Sequence, residues 1–396
     1  MNGEGENGSH VDESADGDAS RDEDLAPDDA SATGQADPDV TGNVPARRSP
    51  SRNRPITIGD TTIEPGTRRY VDLPLPPLYT HTSVAMPVHV VSGRQDGPVL
   101  FVTAAIHGDE INGIEIIRRL LATKALSRMS GTLIAVPVVN IYGFVSQSRY
   151  LPDRRDLNRS FPGSERGSMA ARLADTLLKE IVAKCTHGID LHTAAEGRAN
   201  LPQIRVDLDR YPELQELAEA FGPPIVLDSP TRPGTLRDAA DGIPLLLYEA
   251  GEALRFDELA IRAGLKGVLR VMRRLGMLPA PKGGGGEGKR ASKVWVANNS
   301  LWMRAPQSGI LRSRIPLGGV VGEGDVLGYI SDPFGESEQS VVSDVSGVLI
   351  GITKLPLVHE GEALFHVATT SSTSFAERAM SAFNEEYEMP VIKRLK

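Results

Sequence analysis

Between about residue 97 and residue 278 the apolar positions switch repeatedly between two spacings. Val99 to Ile106, VLFVTAAI, is an apolar run broken only by Thr103 and reads as a buried strand. INGIEIIRRLLATKAL follows, with Ile111, Ile114, Ile117, Leu120 and Leu121 in a helical stripe. The same exchange recurs: GTLIAVPVVN is strand-like, MAARLADTLLKEIVAKC helical, GIDLHT strand-like and LQELAEAFG helical. IPLLLYEAG and the long amphipathic FDELAIRAGLKGVLRVMRRLG close the series. Such alternation predicts an α/β domain in which helices flank a mixed, largely parallel sheet. Upstream, MPVHVVSG alternates as a strand after the Pro-rich LPLPPLY. AAEGRANLPQIRV follows neither period and is expected to be a pocket-shaping loop.

At PAPKGGGGEGKR the pattern breaks, and the glycine run predicts a flexible linker over residues 281–292. Short β segments separated by Gly and Pro occupy 293–370. Within them SGILRSRIPLGGVVGEGDVLGYI, from Ser308, is echoed by SGVLIGITKLPLVHEGEALFHV, from Ser346. Two similar halves predict a small two-fold barrel or flattened sandwich. Residues 371–396 are too few for a domain and are expected to be a C-terminal tail.

Charge adds one boundary. Residues 1 to 50 hold 13 Asp or Glu against 3 Arg, a balance of about −10 that leaves the remainder of the chain near neutral. With so few large apolar residues that segment cannot offset its chain entropy, and 1–54 is expected to be a disordered acidic tail. It has no cationic start or apolar core of a secretory signal, and no stretch approaches a membrane span. The single cysteine, Cys185, cannot form an internal disulfide, which points to the cytoplasm. No basic stripe with interleaved aromatics supports nucleic-acid binding.

The first apolar run empties into His107-Gly108-Asp109-Glu110. Strand exits form the carboxyl edge of an α/β sheet, where such folds place their sites. Gly108 lets the chain reverse so that His107 and Glu110 converge. Taken alone, this reads more readily as an acidic helix start that complements the dipole, beside an ordinary histidine. A second strand exit, GIDLHT, offers His192, with Asp190 on the same face; His187 precedes that strand and is the weaker choice. Two histidines and one glutamate are the ligand set of a catalytic zinc site, with one position left for water. SRYLPDRRDLNRSFPG is a charged loop anchored by Leu157 and Phe161. There Arg159 offers a fork to a carboxylate, Asn158 adds a hydrogen bond, and Asp156 suits the second nitrogen of a ligand imidazole. Glu249 ends the apolar strand IPLLLYEAG and suits a general base better than Glu252, which lies beyond Gly251.

Taken together, HGDE, DLNRSFPG, DLHT and YEAG resemble, in order and type, the succinylglutamate desuccinylase/aspartoacylase family of zinc carboxypeptidase-like hydrolases, over roughly residues 86 to 278. The resemblance implies a zinc-dependent catalytic domain over 55–280 with one Zn2+ per chain on His107, Glu110 and His192. It implies Glu249 as general base and Asn158 and Arg159 as holders of the substrate carboxylate. Arg149 becomes the oxyanion-stabilising arginine, with Arg154 as the alternative, and Arg237 a further substrate contact. The implied reaction is hydrolysis of the amide of a small N-acyl amino acid, with no nucleic-acid or membrane partner and a homo-oligomer left open. A metallocarboxypeptidase and a catalytically silent zinc-binding scaffold are the competing readings. The C-terminal repeat resembles a lipoyl/biotinyl-type barrel. The connection between its halves, SDPFGESEQSVVSD, has no lysine, and Lys354 falls inside the second half. A β cap over the pocket is therefore expected rather than a carrier domain.

Overall fold

A computed structural model describes residues 51–280 and 294–387. Residues 1–50 of the expected acidic tail, the Gly-rich linker and residues 388–396 lie outside the described residues. Residues 51–54, assigned to the tail from sequence, are docked: the buried Asn53 amide donates to Gly93 O and Gly131 O, both at 3.1 Å. A hairpin of β1 (Ile56–Ile58) and β2 (Thr61–Ile63) follows. Then β3 (Arg68–Leu75) pairs antiparallel with β4 (Val84–Ser92). The Pro-rich stretch starts inside β3, which tolerates Pro74 because it is the last strand of the sheet.

The alternating region forms β5 (Gln95–Ala104), α1 (Asn112–Leu121), β6 (Ser130–Val136), α2 (Ile141–Val145) and α3 (Met169–Glu180). It continues with β7 (His187–Ala194), β8 (Arg198–Val206), α4 (Leu214–Phe221), β9 (Ile225–Asp228), α5 (Leu236–Ala239), β10 (Leu245–Glu252) and α6 (Glu258–Arg274). The centre of the sheet, β10-β7-β5-β6, is parallel, while β4 and β8 flank it antiparallel. Apolar side chains cover both faces. Val102, Leu246 and Tyr248 pack with Ile117 of α1 and Val268 of α6. Phe101 and Leu245 pack on the other face with Leu173 and Leu177 of α3. The α1 stripe differs from the sequence expectation: Ile114 is only half-buried, and Gly113 faces inward. A Cβ on Gly113 would stand 2.6 Å from the Ala104 Cβ, so this contact admits only glycine.

AAEGRANLPQIRV is not a loop. Most of it is β8, antiparallel to β10. Its alternation was hidden because the face that meets the site carries Gln203 and Arg205, and because the register shifts by one residue near Pro202.

Beyond the linker come β11 (Trp295–Ala297), β12 (Ser300–Arg304), β13 (Gly309–Ser313), β14 (Val320–Val321), β15 (Val326–Ser331), β16 (Glu338–Val342), β17 (Gly347–Thr353), β18 (Leu357–Val358) and β19 (Ala363–Thr369). The repeat shows in the pairing. β13 pairs with β15 of its own half and β18 of the other; β17 pairs with β19 of its own half and β14 of the other. This all-β region is not separated from the α/β domain as the sequence suggested. β17 pairs with β8, and β11 lies parallel to β9, so one sheet runs through both regions. The expected tail also differs: α7 (Thr373–Tyr387) is an amphipathic helix that buries Ala376, Met380, Phe383 and Tyr387.

Candidate functional site

Three strand exits meet at the carboxyl edge of the parallel centre. β5 ends at Ala104, and Ala105 takes a left-handed backbone (φ 51°) that turns the chain out of the sheet. Val139 N and Asn140 N donate to the carbonyls of Ala104 and Ala105, fixing that turn. Gly108 then passes the start of α2 so closely that a Cβ would sit 2.0 Å from Gly143 C. The result brings His107 and Glu110 back over the end of β7, where His192 stands.

Glu110 does not cap its own helix, since the N-cap position of α1 is Ile111 and no side chain caps it. Instead its carboxylate bridges the two imidazoles. Glu110 Oε1 is 2.6 Å from His107 Nδ1, and Oε2 is 2.8 Å from His192 Nδ1. Oε2 also accepts from Thr193 N at 3.1 Å. All three side chains are buried, and one ligand atom from each lies within 4.8 Å of the others.

Both Nε2 atoms face a second carboxylate. His192 Nε2 is 2.7 Å from Asp190 Oδ2, and Asp190 Oδ1 accepts from Thr103 Oγ1 at 2.7 Å. His107 Nε2 is 3.2 Å from Asp156 Oδ1, within ion-pair range but outside hydrogen-bond alignment. Burial alone would lower both imidazole pKa values; Glu110 and Asp156 raise that of His107, and Asp190 and Glu110 that of His192. Burial would raise Glu110, yet His107 and His192 hold it well below the usual carboxylate range. The imidazoles therefore hold protons, and the carboxylate stays ionised, where a cation fits: two Nδ1 atoms and a carboxylate converge, and the outer nitrogens meet carboxylates that orient the rings. This donor set suits a divalent, zinc-like ion.

The DLNR loop closes over the same point. Arg149 Nε and Nη2 both donate to Asp156 Oδ2, at 3.0 and 2.9 Å, and Nη1 is 3.4 Å from Glu110 Oε1. Arg154, the sequence alternative, is exposed and has no such contact among the described residues. Asp156 Oδ1 accepts from Asn158 N, which holds the loop. Asn158 is buried and its Oδ1 accepts from Leu236 N at the start of α5, while Arg159 is exposed beside it and donates to Asn158 O.

Glu249 lies directly beside His192 in the β10/β7 register and directly opposite Gln203 of β8. Its carboxylate accepts from Asn200 Nδ2 at 2.9 Å and faces Arg205 Nε at 3.9 Å. Glu252 pairs with Ala194, further out. His187 begins β7 rather than ending it and bonds Thr186. Arg237 comes from α5; its Nη2 donates to Ser229 O and Pro230 O, and its buried Nη1 has no partner. Burial first, and Arg205 second, push its pKa down to about 10. Asn200, Gln203 and Arg205 were missed in the sequence because they lie on the stretch read as a loop. The signal was there in polar residues at positions 203 and 205, alternating with apolar 204 and 206.

Residues 96–275 match the family described as the succinylglutamate desuccinylase/aspartoacylase catalytic domain. An N-alpha-acetyl-L-2,4-diaminobutyric acid deacetylase of Halomonas elongata is 31% identical over 150 residues, 37% of this chain. The match spans 44% of that relative, less than half its length. A crystal structure of a succinylglutamate desuccinylase/aspartoacylase from Rhodobacter sphaeroides is 25% identical with a TM-score of 0.66, covering 76% of this chain and 94% of the other. A product-bound structure of the ectoine utilization protein EutE (DoeB) from Ruegeria pomeroyi shares the fold. It has a TM-score of 0.68 at 23% identity and covers 76% of this chain and 95% of the other. With its motifs on the strand exits where the metal-type cluster forms, the segment 96–275 is similar to the succinylglutamate desuccinylase/aspartoacylase catalytic-domain family.

Proposed function

We propose that this chain is a zinc-dependent amidohydrolase that removes the acyl group from an N-acyl amino acid. The convergence of His107 Nδ1, Glu110 and His192 Nδ1, one strand from Glu249, is the observation that carries the reading. The family match and the deacetylase named among its relatives support it. His107, Glu110 and His192 would hold the ion. Bound there, zinc supplies Lewis-acid polarisation and lowers the pKa of water toward 7.

The remaining roles belong to this chain's own side chains. Glu249 takes the proton of the attacking water and hands it to the nitrogen of the leaving amine as the C–N bond breaks. Arg149, held by Asp156, directs Nη1 to the region where negative charge develops on the acyl oxygen. The exposed guanidinium of Arg159 and the amide of Asn158 bind the amino acid carboxylate. Arg237 offers its unpartnered Nη1 to a further polar group of the substrate. Asp190 and Asp156 fix the two rings.

The test is metal analysis followed by a screen of N-acyl amino acids against short peptides. Glu249→Gln is expected to keep its metal and lose about 100-fold or more in turnover. Hydrolysis confined to peptide C-termini would replace this reading with a carboxypeptidase. Stoichiometric zinc with no hydrolysis of any amide would leave a scaffold.

A further inference from the structure

Glu249 is held from one side by a residue that no motif includes. Asn200 Nδ2 donates to Glu249 Oε2 at 2.9 Å, while Oε1 faces Arg205. We infer that Asn200 is a positioning residue for Glu249, and that Gly351 of the C-terminal β region keeps Asn200 in place. This rests on Glu249 being the base.

The backbone is built for this contact. Glu249 lies opposite Gln203, and continuing that register would put Asn200 on the other face of the sheet from Glu249. The pairing instead slips by one residue, so that Asn200 lies opposite Gly251, on the Glu249 face. Pro202 sits inside the slip, where a missing N–H is least costly. On its other edge Asn200 pairs with Gly351 of β17. A Cβ on Gly351 would lie 3.1 Å from Asn200 Oδ1 and 3.1 Å from His366 Cβ, with the Trp302 ring at 3.5 Å. His366 and Trp302 are stacked at 4.5 Å, 7° from parallel, so they give little room. Gly351 lets β17 close on the amide oxygen of Asn200 while its nitrogen faces Glu249. The continuity of the sheet across the two regions thereby becomes part of how the base is aimed.

The test uses the full chain loaded with zinc and an N-acyl amino acid that it turns over. Asn200→Ala is expected to lower kcat about tenfold with KM and zinc content unchanged. Asn200→Asp keeps the shape but offers an acceptor in place of the donor, and is expected to be no better than Asn200→Ala. Gly351→Ala should lower kcat in the otherwise unaltered chain yet add less than about twofold on top of Asn200→Ala, because both act on one contact. A crystal structure of Asn200→Asp should show the Glu249 carboxylate displaced. Unaltered kcat in Asn200→Asp, additive effects of the two substitutions, or an unmoved Glu249 would each overturn the inference. Unaltered turnover by Glu249→Gln would overturn the base assignment itself. An inactive Glu249→Gln beside a fully active Asn200→Asp would overturn only the role of Asn200.

Discussion

Asp190→Asn tests whether the ring of His192 is held for a metal. Asp190 is almost fully buried; its Oδ2 lies 2.7 Å from His192 Nε2 and its Oδ1 accepts from Thr103 Oγ1. Asparagine fills the same space, so no cavity forms, but its one oxygen serves either Thr103 or His192. The charge-assisted bond to the imidazole is lost, a cost of roughly 1.5–3 kcal/mol. Changes to such outer partners weaken metal binding by about 10–100-fold, and the two figures agree because about 1.4 kcal/mol is tenfold. Competition with a chromophoric chelator measures the change directly. Thermal unfolding supplies a second reading. At zinc one hundred times the original Kd the ion stabilises the fold by about 2.7 kcal/mol, and a hundredfold weaker site retains about 0.4 kcal/mol. If Asp190→Asn binds zinc as tightly as the unaltered chain, the carboxylate does not orient the ring and the reasoning fails.

Zinc binding should weaken as pH falls. His107 and His192 have raised pKa values without metal, so the ion must displace protons, and affinity drops by up to about tenfold per pH unit for each proton released. In the metal-free chain the raised imidazoles contribute stability that is present below pH 6.5 and fades as pH rises through their folded values. Glu110, held low, acts oppositely and loses its contribution as pH falls below its ordinary range. Calorimetry in two buffers of different ionisation enthalpy counts the protons, and none released would refute this account. Gly108→Ala should cost about 1–3 kcal/mol or more, since the new Cβ would meet Gly143 C at 2.0 Å and Phe144 N at 2.1 Å; an unaltered Tm in thermal melts would contradict it. Cys185 is buried, with its thiol pushed up by desolvation, and should resist iodoacetamide in the native chain and react fully in denaturant. Mass spectrometry reads the difference, and rapid native alkylation would count against the burial.

The α/β core was legible because both of its periods are physical. Strands buried on both faces show nearly continuous apolar runs such as Val99 to Ile106, and helices show stripes that a sheet covers. His107, Glu110 and His192 were legible because they end such runs, and strand ends are where an α/β sheet exposes side chains. What escaped notice lies where function interrupts the pattern. β8 looked like a loop because its site face is polar and its register slips at Pro202. Arg149 and Arg154 were alternatives in sequence, and only the folded loop brings Arg149 onto Asp156.

By itself the chain's order of residues determined which segments bury apolar surface, which strand exits carry the candidate ligand side chains, and that two β halves repeat. Those depend on local spacing. Tertiary structure decided that both imidazoles aim Nδ1 at one carboxylate, that β17 joins β8 in a shared sheet, and that α7 docks by Phe383 and Tyr387. Each of these joins residues far apart along the chain, and the free energy that selects them exists only when both partners are present.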